Sequence, residues 1–102
     1  MNDIIESLKN CSLVWSRHAL ERILERDISR ESVKHVLLNG EIIDSYKDDK
    51  PYPSYLVLGS FDNAVLHVVF ALDEHEKNCY IITVYEPDEN YFEADKKTRR
   101  KP

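Results

Sequence analysis

The chain has 102 residues and a mass of 12.0 kDa, the length of one domain with room for one modest core. Its only glycines are Gly40 and Gly59, which excludes a Walker A loop or a dinucleotide fingerprint, since both need several glycines close together. The formal net charge is −5, but five of the 14 bases stand in the last seven residues, so residues 1–95 hold 9 bases against 19 acids, a net of −10, and a body so acidic argues against duplex-DNA binding, where neutralised phosphates supply the affinity.

Helical signals fill the first forty residues. Ile4, Ile5 and Leu8 have helical spacing over residues 3–9. The start Met-Asn-Asp-Ile-Ile-Glu lacks the basic opening and apolar core of a signal peptide. Residues 11–15 form an apolar link that can run extended. Ser16 is placed to cap a helix running to about Arg26, whose apolar stripe is Ala19, Leu20, Ile23 and Leu24. Ser29 is a second cap, with Ile28 and Val33 at the positions of a hydrophobic staple. Val33, Val36 and Leu37 give that helix its buried side. Asn39-Gly40 ends it, with Gly40 expected in the left-handed C′ position.

After Gly40 the period changes to that of strands. Residues 42–46, 54–59, 65–72 and 79–85 are the four expected strands, the second delayed by Pro51 and Pro53. Asp62-Asn63 and residues 73–78 supply turns, and Glu86-Pro87-Asp88 ends the sheet. The longest apolar run, 65–72, is eight residues interrupted by His67, too short to span a bilayer. Cys11 and Cys79 match no zinc or redox spacing and fit a reducing cytosol. The expectation is a cytoplasmic α+β domain over residues 1–92, with N-terminal helices packed on a four-stranded antiparallel sheet and a basic tail over 93–102.

His18, Arg22 and Arg26 recur every four residues and so form a shallow stripe along the border of the apolar face of their helix. An imidazole exchanges protons near neutral pH, and two guanidiniums beside it can clamp a phosphate. The same stripe also fits a solvated helix face in which Glu21 and Glu25 pair with neighbouring arginines. His67 sits among Leu66, Val68 and Val69 and reads either as a hydrogen-bonded structural residue or as a cleft residue. Tyr85 ends the last expected strand, where it can reach across the sheet surface, or be a half-buried strand tyrosine. Tyr52 and Tyr55, beside prolines, are weaker candidates, and His35 and His75 read as solvated. No His/Cys/Asp cluster has metal-ligand spacing, so no metal or cofactor is expected.

Trp15-Ser16-Arg17-His18-Ala19, with Arg22 and Arg26 following, resembles the H-A-x-x-R-x-x-x-R opening of a small uncharacterised bacterial domain family. Residues 33–40, Leu66-His67-Val68-Val69 and Ile81-Ile82-Thr83-Val84-Tyr85 continue the resemblance, which covers residues 13–92. That family is in turn similar to the RelE and BrnT type of toxin in toxin–antitoxin operons. The resemblance implies helices on an antiparallel sheet, metal-independent RNA cleavage, possible action on ribosome-bound message, and an antitoxin partner with a zinc-binding part of the MqsA sort. Cleavage by attack of a ribose 2′-OH on the adjacent phosphate needs a base, an acid and positive donors. His18 would be base or acid, Arg22 and Arg26 the phosphate donors, and His67 or Tyr85 the opposite proton carrier. Lys96, Lys97, Arg99, Arg100 and Lys101 would add salt-sensitive RNA binding. The alternative is a non-catalytic module in which the stripe docks an acidic segment of a protein partner.

Overall fold

The computed structural model describes residues 7–87. In chain order the elements are β1 (Ser12–Trp15), α1 (Arg17–Glu25), α2 (Arg30–Asn39), β2 (Glu41–Tyr46), β3 (Ser54–Phe61), β4 (Ala64–Asp73) and β5 (Asn78–Tyr85). Of the helix expected over 3–9, only 7–9 lie within the described residues, and they are helical. The basic tail expected over 93–102 lies outside them. No helix among the described residues is long and apolar enough to cross a membrane.

Both helix starts follow from their serines. Ser16 Oγ accepts from the Ala19 amide at 3.0 Å and Ser29 Oγ from the Ser32 amide at 3.0 Å, each satisfying an amide that has no intrahelical partner. Helix α1 closes in a Schellman motif, in which Ile28 N–H bonds Ile23 O at 2.8 Å and Asp27 N–H bonds Leu24 O at 3.4 Å. The left-handed residue in it is Asp27, with φ 55°.

The sheet corrects the expectation of four antiparallel strands. It has five, in the order β1-β5-β4-β3-β2, and β1 pairs parallel with β5, Ser12 opposite Asn78 through Trp15 opposite Ile81. The segment expected to be an extended link is thus an edge strand. Its alternation explains why: Leu13 and Trp15 turn to the core while Ser12 and Val14 are exposed, the pattern of a half-buried strand. Strands β2 to β5 form the expected antiparallel meander. Asp62 and Asn63, at φ 51° and 66°, make the two-residue turn between β3 and β4.

Gly40 supplies a second correction. It caps α2 in an extended conformation, φ −82° and ψ −175°, not a left-handed one. What requires glycine is crowding. A Cβ there would stand 2.5 Å from Leu58 O, 2.6 Å from Val36 O and 2.8 Å from Val57 Cγ2, so the chain can turn from α2 into β2 only where no side chain intervenes.

Strand alternation then divides the sheet into two faces. Leu66, Val68, Phe70 and Leu72 of β4 join Val57, Cys79, Ile81 and Val84 beneath the helices, where Ala19, Ile23, Val33, Val36 and Leu37 complete the core. Gly59 confirms the orientation, because a Cβ on it would meet the Val36 side chain at 2.9 Å. The opposite face therefore carries Ser54, Leu56 and Leu58 of β3, His67, Val69 and Ala71 of β4, and Tyr80, Thr83 and Tyr85 of β5.

Candidate functional site

His67 and Tyr85 stand directly opposite each other on β4 and β5, on the face away from the helices. His67 Nδ1 lies 3.3 Å from Tyr85 Oη, and the rings meet edge to face with centroids 5.2 Å apart and 63° between planes. His67 is fully buried, at 0% exposure, while Tyr85 is half-buried. The two residues therefore divide their work. The tyrosine can touch a bound molecule at its exposed side, and the buried histidine can act on that molecule through the tyrosine it contacts. A hydrogen bond between an imidazole and a phenol can pass a proton, in a direction set by the imidazole tautomer.

The stripe on α1 belongs to the other layer. Ala19 and Ile23 are buried in the core against β5, which leaves His18 and Arg26 exposed and Arg22 half-exposed. Arg22 Nη1 meets Glu25 Oε2 at 3.4 Å, and Arg17 Nε meets Glu21 Oε1 at 3.2 Å, as expected for a salt-bridged helix face. Arg26 also lines a cavity of about 210 Å³ with Phe61, Asp62 and Glu86. The structure thus brings His67 and Tyr85 together, and sets His18, Arg22 and Arg26 on an element packed against the reverse of the sheet. Strand β1 stops opposite Ile81 whereas β5 runs on to Tyr85, so α1 follows β1 at the point where β5 loses its strand partner. The tail residues Lys96, Lys97, Arg99, Arg100 and Lys101 lie outside the described residues.

Three histidine and tyrosine positions resolve as ordinary structure. Tyr55 is buried in the core with its ring 5.4 Å from that of Phe70, and burial pushes its phenol up from the ordinary value. His35 rests against Phe61 at 5.2 Å, beside a cavity of about 490 Å³ between the last turn of α2 and Leu58, Gly59 and Ser60. His75 is exposed in the β4–β5 turn, 3.8 Å from Glu76.

One arrangement escaped the sequence reading. Tyr52, from the β2–β3 loop, stacks on Tyr80 with centroids 5.5 Å apart and 6° between planes. The Asp73 carboxylate beside the Tyr52 hydroxyl raises that phenol above its ordinary value. Asp73 Oδ1 also accepts from the Glu76 amide at 3.1 Å. A tyrosine between two prolines was the one available signal; its partners lie more than twenty residues away in sequence.

Among the thiols, burial pushes Cys79 up to about 12 and raises Cys11 as well, so neither is a ready nucleophile. No group of three or more His, Cys, Asp or Glu side chains suited to a metal ion occurs among the described residues.

Neither a curated protein nor a solved structure matches the chain. A family model described as a domain of unknown function (DUF4258) matches residues 15–86. That span starts at the last residue of β1 and takes in both helices and the whole meander, with every candidate of the α1 stripe and of the His67–Tyr85 pair inside it. With well over half of its length matched, the chain belongs to the DUF4258 family.

Proposed function

We propose that this protein is an endoribonuclease of the toxin kind, similar to RelE and BrnT toxins, that cleaves RNA by attack of a ribose 2′-OH on the adjacent phosphate. The observation that carries the proposal is the His67 Nδ1 to Tyr85 Oη contact of 3.3 Å on the sheet face the helices leave clear. Tyr85 Oη takes the 2′-OH proton as its own passes to His67 Nδ1. The 2′ oxygen bonds to phosphorus, the bond to the 5′ oxygen breaks, and that oxygen leaves with a proton from a second donor. Tyr85 is the catalytic residue in this scheme and His67 its positioning residue, because His67 is wholly buried. In the wider form of the reading, the His18, Arg22 and Arg26 stripe on the other layer holds a neighbouring phosphate of the same RNA, not the reacting one. RNA would then reach round the edge of β5 beyond Trp15. An antitoxin is the expected protein partner.

The test is cleavage of purified RNA and of ribosome-bound message, with the new 3′ ends examined for cyclic phosphate. Tyr85→Phe should lower the rate at least 100-fold, in the range of a lost general base, with the fold intact by circular dichroism. Arg22→Ala reports on the wider form, with weaker and less salt-dependent RNA binding expected. Full activity of the Tyr85→Phe protein refutes the scheme.

A second reading is favoured by one observation: the exposed α1 stripe is on a different layer from the His67–Tyr85 pair. In this reading the stripe docks an acidic helix or tail of a partner and the protein catalyses nothing. Absence of cleavage in every RNA assay, ribosomes included, selects it.

A further inference from the structure

The end of that sheet face away from His67 carries the Tyr52–Tyr80 stack, which the reaction above does not use. By register Tyr80 shares this face with Ala71 and Ser54. The Tyr80 hydroxyl accepts from Asn78 Nδ2 at 3.4 Å, and the Tyr52 ring is held against the Tyr80 ring by the parallel stack. Asp73, beside the Tyr52 hydroxyl, is only 5% exposed. Tyr52 also stands between Pro51 and Pro53, which fix their own φ and keep the residue before each of them out of the helical region. Both rings remain half-exposed. The result is an aromatic plane already in position, so a planar ligand stacking on it orders no further side chain.

We propose that Tyr52 and Tyr80 form a stacking platform for one nucleobase of the single-stranded RNA whose reacting phosphate sits at Tyr85, an assignment that rests on the RNA reading above. Tyr80 lies opposite Ala71 and Tyr85 opposite His67, four β4 residues apart, or about 13 Å at the rise of a strand. A base on the platform is therefore separated from the reacting bond by a short stretch of the same strand. The ring, not the phosphate, is what this end can recognise. Lys47, Lys50 and Lys77 in the flanking turns are matched by Asp48, Asp49, Glu74 and Glu76, so these turns have no excess of cations to attract a polyanion. Stacking tolerates that balance, because every base offers a π face.

The experiment uses the full chain and a short fluorescent single-stranded RNA, 2′-O-methylated throughout so that it binds without being cut. Tyr52→Ala should weaken binding about 5- to 150-fold, the range for one lost base stack, and Tyr52→Trp should restore it. The oligonucleotide is then scanned with an abasic residue. One position should show a matching loss with the native protein and none with Tyr52→Ala, a coupling that a merely structural tyrosine would not produce. Cleavage of unmodified RNA is followed in parallel. Cleavage that continues with unchanged binding in Tyr52→Ala overturns the platform alone, whereas the coupled loss without any cleavage overturns the catalytic reading alone. Native protein that binds no single-stranded RNA also overturns the platform.

Discussion

Replacing Gly40 by alanine tests the account of how α2 turns into β2. The added Cβ would lie 2.5 and 2.6 Å from two backbone carbonyl oxygens, in a region where both are already engaged. Val36 O accepts the Gly40 amide at 2.8 Å, and Leu58 is paired with Glu41 in the sheet. Neither carbonyl belongs to a flexible side chain, so α2 and β3 must separate by several tenths of an ångström. Overpacking of this kind costs about 1–3 kcal/mol, and a clash with backbone on two sides belongs at the upper end. Alanine restricts the unfolded chain and returns about 0.4–1 kcal/mol, and the extended φ and ψ add no strain. The net is a loss of about 2 kcal/mol, a fall in Tm of about 8–16 °C for a domain of this size. Thermal melts by circular dichroism, with urea titration to check that the m-value holds, measure it. Gly40→Asn discriminates the cause: a left-handed position would accept asparagine better than alanine, whereas crowding makes it worse. A Tm within about 3 °C of native for Gly40→Ala, or a better-tolerated asparagine, refutes the reasoning.

Asp27 holds φ 55° in the Schellman motif, so Asp27→Gly should stabilise the protein by about 0.5–1 kcal/mol and raise Tm by a few degrees; an unchanged or lower Tm in the same melts counts against it. The Cys79 thiol, pushed up to about 12 by burial, holds its proton in the folded state beyond the pH at which the unfolded chain loses it. Its stabilisation is thus complete below about pH 9 and declines toward pH 12, and the urea midpoint should fall more steeply over that range in native protein than in Cys79→Ala; equal slopes would contradict this. Phe70 is wholly buried at the centre of the sheet, so Phe70→Ala should cost about 3–5 kcal/mol, read as a lower urea midpoint at constant m. The Arg22–Glu25 pair is exposed and 3.4 Å long, so Arg22→Ala should change stability by less than about 1 kcal/mol, which makes any larger loss of RNA cleavage or partner binding a functional effect.

Local chemistry made much of the fold legible. Ser16 and Ser29 announce their helices because the cap bonds span only three residues, and the apolar alternation of β4 and β5 marks strands without any knowledge of their partners. Strand β1 was not legible as a strand because its four residues gain their place only by pairing with residues 66 positions later. Gly40 was legible as a required glycine but for the wrong reason, since crowding against Leu58 depends on where β3 returns. The candidate site divides in the same way. His67 and Tyr85 stood out as polar interruptions and strand ends, and the register unites them. The four-residue spacing of His18, Arg22 and Arg26 correctly describes one helix face but carries no information about which side of the sheet that helix occupies. The Tyr52–Tyr80–Asp73 cluster joins three separate segments, and nothing local in any of them points to the other two.

The parallel pairing of β1 with β5 also gives the molecule an order of assembly. Each hairpin of the meander closes over a short turn, whereas Ser12 must wait for Asn78, so this pairing dominates the contact order and falls late on any folding route. During synthesis at about 5–20 residues per second, the 65 residues between Ser12 and Asn78 take roughly 3–13 s to appear. Over that interval the apolar side chains of Leu13 and Trp15 lack the strand they will pack beside.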